Sequence, residues 1–219
     1  ALVLENNPDE KLAINQRLIE IARLLGENRA VAEVSEQALA LAGDDAEKGD
    51  LLMAQYDALL AIGTWDETHS ALAKLEALDL PPDRQTARTF RRALYQERLL
   101  SDDAWFQRWL AAPGPRRHPV TARPDLLKDT LALFDGLAGS APDLAEESLF
   151  RAARLCSAEN LFEEARARIR TFFEQNYHAH EAEIILLLIR MARLEGNTRQ
   201  TQTLISQLLR RYQWMDKAA

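Results

Sequence analysis

The chain has 219 residues, 47% of them hydrophobic, and a formal net charge of −7, which is a globular composition at a length able to bury a real core. Its longest apolar run, Ile184 to Ile189, is six residues, against the roughly 18 that a membrane span needs. The single cysteine, Cys156, excludes a disulfide framework and a Cys-based metal site, and a lone Cys on a helix reads as a small core residue.

Helical periodicity is nearly continuous, with no alternating strand pattern. In chain order the sequence predicts helices over 9–25, 28–42, 47–62, 66–79, 83–100, 103–111, 125–138, 143–158, 161–175, 179–195 and 198–213. All eight prolines fall where a helix starts or stops, as expected of a residue that costs about 3 kcal/mol inside one. Asp9, Asp66, Asp83, Asp103, Asp125 and Asp143 stand at or near helix starts, where a carboxylate can cap free N–H groups and meet the positive end of the helix dipole. Gly26, Gly63 and Gly196 stand at helix ends, where left-handed backbone is needed. Short connections make consecutive helices antiparallel neighbours.

Most of these helices carry one apolar stripe, such as Leu52, Tyr56 and Leu59, or Phe162, Ala165, Ile169 and Phe172. Hairpins with one stripe bury it by stacking on the next hairpin. The expected organisation is a helical sub-array over 1–111, a Pro- and Arg-rich loop over 112–124 and a second sub-array over 125–219. The whole is read as one continuous solenoid. The stretch from Ala111 to Pro124, with four prolines, is expected not to be helical. Ala1-Leu2-Val3-Leu4 reads as the end of a helix, so the chain is expected to be a piece of a longer protein.

The charge is unevenly spread. Residues 1–82 hold 6 basic and 16 acidic side chains, residues 83–124 hold 9 arginines against 4 acids, and residues 125–219 hold 12 against 14. A basic middle in an acidic chain is a candidate electrostatic footprint, while the net acidity argues against nucleic acid.

The clearest unit runs from Gly63-x-Trp65-Asp66-Glu67 through Leu72 and Leu75 to Leu80-Pro81. A second copy is Asn160-x-Phe162-Glu163-Glu164-Ala165, continuing through Ile169 and Phe172, and Gly196 with Ile205 and Leu208 makes a poorer third. Gly26 to Gly63 is 37 residues and Asn160 to Gly196 is 36. At these positions the chain resembles the tetratricopeptide repeat family, in degenerate form, whose helix pairs recur at about 34 residues. The resemblance implies an all-α, right-handed superhelix of antiparallel helix pairs that binds proteins without catalysis or cofactor.

It also implies a groove lined by the first helix of each pair. With Ser101 as the turn equivalent of Gly63, the ligand-facing positions are Arg88, Arg91, Tyr95 and Arg98. The other repeats add Glu147, Phe150, Arg154, Glu183, Leu186, Arg190 and Arg193. Arginine favours bidentate contact with carboxylates, so an acidic peptide or an anionic polysaccharide would suit such a groove. The plain alternative is a solvated face with local pairs such as Glu147–Arg154 and Glu183–Arg190. The Lys and Asn pair with which some family members clamp a C-terminal carboxylate is missing at the matching positions. Arg116, Arg117 and Arg123 make the loop a further candidate. Trp105, Phe106 and Trp109 read as core. His178-x-His180 lacks the i, i+4 spacing of a zinc helix, and no catalytic grouping is readable.

With 22 Arg against 5 Lys, the composition looks bacterial. Similar bacterial repeat proteins recruit periplasmic enzymes in exopolysaccharide modification or export during biofilm formation. The expectation is therefore a protein-binding scaffold, in the periplasm rather than the cytoplasm. The alternatives are direct binding of an anionic polymer by the Arg-rich middle, or a cytoplasmic regulatory domain.

Overall fold

The computed structural model describes residues 7–113 and 119–212. Among them are eleven α-helices and no strand: α1 (Pro8–Leu24), α2 (Asn28–Leu39), α3 (Asp45–Ile62), α4 (Trp65–Glu76), α5 (Pro82–Ser101), α6 (Asp103–Ala111), α7 (Pro119–Ser140), α8 (Pro142–Ala158), α9 (Phe162–Glu174), α10 (Glu181–Leu194) and α11 (Thr198–Tyr212). The all-α expectation holds, and bounds agree within a turn of helix except at α7.

That helix corrects the sequence reading, because Pro119 to Pro124 are helical and Pro124 lies inside. Proline at a first helical position loses no bond and has the right φ. Pro124 gives up one backbone bond near the start of a 22-residue helix that also buries Ala122 and Leu126. Of the aspartates expected near helix starts, Asp125 lies inside α7, and the side-chain caps seen are other residues. Asn7, Asp44 and Asp102 accept from the free amides of α1, α3 and α6. Asp9, Asp66, Asp83, Asp103 and Asp143 occupy first turns instead, where the helix dipole favours them.

Five helix-to-helix turns among the described residues contain a left-handed residue: Gly26, Gly63, Gly196, Asn160 and Asn176, the asparagines with φ of 60° and 56°. Asn is among the few side chains that visit this region, so the equivalence of Asn160 with the glycines is structural. Ser101 breaks the series. It closes α5, and Asp102 follows in extended backbone.

The chain divides into two compact units, Ala1–Leu127 and Lys128–Ala219. In the first, each helix packs on the next and α3 also meets α5. Alternate helices are tied by ion pairs in register. Arg84 binds Asp50 and Arg91 binds Asp57, each 34 residues on, from α5 to α3. Arg29 binds Glu67 and Lys74 binds Glu36, each 38 apart, between α2 and α4. Both partners advance seven residues together, so alternate helices run parallel and consecutive ones antiparallel. The apolar floor includes Leu52, Met53, Leu75 and Leu80.

The second unit builds its core between α8, α9 and α10 from Phe150, Cys156, Ile169, Phe172, Ile184 and Met191. The step recurs there: Arg168 on α9 binds Asp135 on α7, and His180 meets Glu147 on α8, both 33 residues apart. Burial pushes the Cys156 thiol up to about 11, with the nearby Arg168 opposing. At pH 8 it therefore stays protonated and buried. Native protein is expected to resist iodoacetamide, with labelling appearing only in denaturant. Rapid native labelling would show that this core is open.

Candidate functional site

The arginines of the basic helix α5 are engaged by partners within the chain. Arg88 Nη1 donates to the carbonyl of Leu78 (2.9 Å), fastening the end of the preceding hairpin. Arg91 holds Asp57 with two bonds (3.0 and 2.5 Å) and also donates to Ala87 O. Tyr95 is buried, its hydroxyl 2.9 Å from His69 Nδ1. Arg98 pairs with Asp102 (2.9 Å) and lies 5.3 Å above the Trp105 ring. Trp65, His69, Tyr95 and Trp105 form a continuous run of ring contacts across α4, α5 and α6. Trp105 and Phe106 are buried, so these aromatics are core.

In the second unit Glu147 takes Arg151 and His180 as partners. Arg154 lies over the Phe150 ring at 5.6 Å. Arg190 and Arg193 are exposed on α10, and among the described residues neither pairs with Glu183 or any other carboxylate. Of the loop candidates, Arg116 and Arg117 lie outside the described residues. Arg123 donates to Asp103 (3.2 Å) and to Leu100 O (2.5 Å), and stands over Phe106. His180 stacks on Phe150 at 4.2 Å while His178 sits near Glu181, so the two histidines serve different neighbours. Among the described residues no three potential metal ligands gather.

What sequence reasoning missed is a groove of about 660 Å³ between the parallel helices α2 and α4. Small residues make it. Ala32, Ser70 and Ala71 keep the facing surfaces low, and Gln55 and Leu59 of α3 form the floor. Two ion pairs cross it as clasps: Arg29–Glu67 at 3.2 Å and Lys74–Glu36 at 3.3 Å. Glu33 lies on α2 between the clasps, exposed and without an ion pair among the described residues.

No family model, curated protein or solved structure matches this chain. Its chemistry must be read from the side chains.

Gln55 is 8% exposed. Its Nε2 donates to Glu36 Oε2 (2.5 Å), while its buried Oε1 accepts from no donor among the described residues. The reverse amide orientation would set that oxygen against the Glu36 carboxylate, which fixes the donor on the Glu36 side. The Gln55 amide, opposed by partial burial and helped by Lys74, holds the Glu36 carboxyl below the ordinary glutamate value. Thr64 first, with Arg29 also helping against slight burial, does the same for Glu67. Both groups stay ionised at neutral pH. Four carboxylates and two cations line the groove, and both cations are already paired. A smaller hollow of about 490 Å³ lies between α4 and α6, where Asp66 meets Arg108 at 3.6 Å.

The sequence did carry a signal for the groove. Arg29 and Glu36 are seven apart on α2, and Glu67 and Lys74 are seven apart on α4 with the signs reversed. Such a pattern is meaningful only once the two helices are known to be neighbours.

Proposed function

We propose that the chain is a non-catalytic interaction module of tetratricopeptide type, and that the α2–α4 groove holds a segment of a partner protein. One observation carries the reading: an open groove on the in-register hairpin array, with small residues on its walls and an apolar and amide floor. The groove's volume falls within the roughly 300–1,000 Å³ of ordinary binding sites, and its lining, mostly charged and amide side chains, suits a polar peptide segment. Rigid display by stacked hairpins keeps the ordering cost of binding low. In the wider setting we propose, the module belongs to a larger bacterial envelope protein and recruits a periplasmic enzyme of exopolysaccharide modification or export. That setting rests on the arginine-rich composition and the repeat resemblance alone. The anionic-polymer alternative is weaker because Arg88, Arg91, Arg98 and Arg123 already have internal partners.

Selection of displayed random peptides against the full chain tests the groove. Filling it with Ser70→Trp is expected to weaken the selected peptides at least roughly tenfold, or about 1.4 kcal/mol. Reversing charge at Arg190 and Arg193 is expected to change little. If the arginine reversal abolishes binding and Ser70→Trp does not, the site is on α10 and the groove reading fails.

A further inference from the structure

We infer that α1 and the α10–α11 hairpin carry the two halves of one interface, and that α1 of one copy of the chain docks on α10–α11 of a second copy, head to tail. The inference is independent of the α2–α4 groove. It begins from three turns built alike. Gly26, Asn160 and Gly196 are all left-handed. The residue after each donates its amide to a carbonyl in the preceding helix: Glu27 to Ala22, Leu161 to Cys156 and Asn197 to Ala192. These shared bonds set the correspondence of the helices. Gly26 to Gly196 is 170 residues and Asn160 to Gly196 is 36. At those offsets α1 corresponds to α10, and the α8–α9 hairpin corresponds to α10–α11.

The second unit shows the interface complete. There α10 enters the core of α8 and α9 with Ile184, Met191 and the partly buried Leu188, and Ile184 and Met191 have no exposed surface. Their counterparts on α1 are Ile14, Ile21 and Leu18, which are 44%, 52% and 45% exposed. Since α1 buries Leu12, Ile19 and Ala22 while packing on α2, the three exposed positions form a second apolar stripe. The receiving surface is open in the same way. Phe150 on α8 is 7% exposed, with the His180 ring at the start of α10 stacked on it. Its counterpart on α10, Leu186, is 53% exposed. Ile169 of α9 is buried in the same core, whereas its counterpart on α11, Ile205, is exposed. One chain thus offers the inserting stripe at α1 and the receiving surface at α10–α11, and burial of both drives their union. The occupant is a second copy because both halves stand on the same chain and their charges differ in sign. Residues 1–82 hold 16 acids against 6 bases, and residues 181–212 hold five arginines against three glutamates. Docking α1 on α1, or α10–α11 on itself, would bring together regions of one sign.

The test is sedimentation velocity of the full chain over about 1–200 μM, a range that reads contacts of micromolar strength. The average mass is expected to rise with concentration. Leu18→Glu, and separately Leu186→Glu with Ile205→Glu, are each expected to weaken association at least roughly tenfold, because a head-to-tail contact needs one surface of each kind. An equimolar mixture of the two variants is expected to form a one-to-one dimer and nothing larger. In that dimer the first variant supplies the receiving hairpin and the second supplies α1. Ile62→Glu, at an exposed apolar position on α3, is expected to change nothing. All four positions are exposed, so each variant is expected to keep its helix content, which circular dichroism checks. A chain that stays monomeric throughout overturns the inference. So does association that neither change weakens, equal loss with Ile62→Glu, or a mixture that fails to pair. If the variant with Leu186→Glu and Ile205→Glu dimerises alone, α1 meets α1 and head-to-tail docking falls.

Discussion

Phe172→Ala is expected to lower the unfolding free energy of the second unit by about 3–5 kcal/mol, read by urea denaturation. Phe172 has no exposed surface and stands on α9 among Ile169, Ile184 and Met191. Its ring meets Phe173 and Tyr177 edge-on, both at 5.6 Å. Removing it takes away a large buried surface and leaves a hole between helices that hold one another apart, so little collapse can offset the loss. Phe173 next to it is 39% exposed, and Phe173→Ala is expected to cost far less. A loss below about 1 kcal/mol at Phe172, the typical cost of an average point mutation, would mean that this core is not assembled as described.

Asp57→Ala is expected to cost about 2 kcal/mol, between the value of an exposed pair, under about 1, and that of a buried one, about 3–5. The Arg91 side chain is 17% exposed and that of Asp57 is 42%, so the substitution strands a mostly buried guanidinium while exposing little else. Arg29→Ala removes a pair whose members are 52% and 49% exposed, and is expected to cost less than about 1 kcal/mol. Replacing both partners, as Asp57→Leu with Arg91→Met, is expected to recover most of the loss, because no charge is then left without its counterpart. Urea denaturation of these variants measures all of this. An equal cost for Asp57→Ala and Arg29→Ala would show that the 34-residue link between α3 and α5 carries no special weight.

The helices were legible in the sequence because their ends are written in local chemistry. Proline at the starts of α5 and α8, glycine or asparagine at the hairpin turns, and stripes of leucine and alanine each act through neighbours a few residues away. Where local signals competed, the reading went wrong. Pro124 reads as a breaker, yet it lies early enough in α7, with apolar residues to bury on both sides, for the helix to continue through it. The candidate site was less legible. Arg88, Arg91, Tyr95 and Arg98 share one face of α5 by spacing alone. A face turned toward a neighbouring helix has the same period as a face turned toward a ligand. Only the partner Asp57, 34 residues away, decides between them. The α2–α4 groove was hidden for the same reason, since its walls become walls when two helices separated by α3 lie side by side. Gln55 gave no sign, because an unpaired amide oxygen is a property of the packed state.

The crossing ion pairs also dictate where this chain can change in length. A single residue inserted within α3 between Asp50 and Asp57 would turn everything after it by about 100° and pull a carboxylate away from its arginine on α5. Extra residues at the exposed Gly43, in the turn between α2 and α3, leave α3 and α5 in phase and cost mainly the slow growth of loop entropy. Inherited insertions and deletions should therefore gather in the turns, and growth of the array should proceed by duplication of a whole hairpin, which brings its own charges already in step.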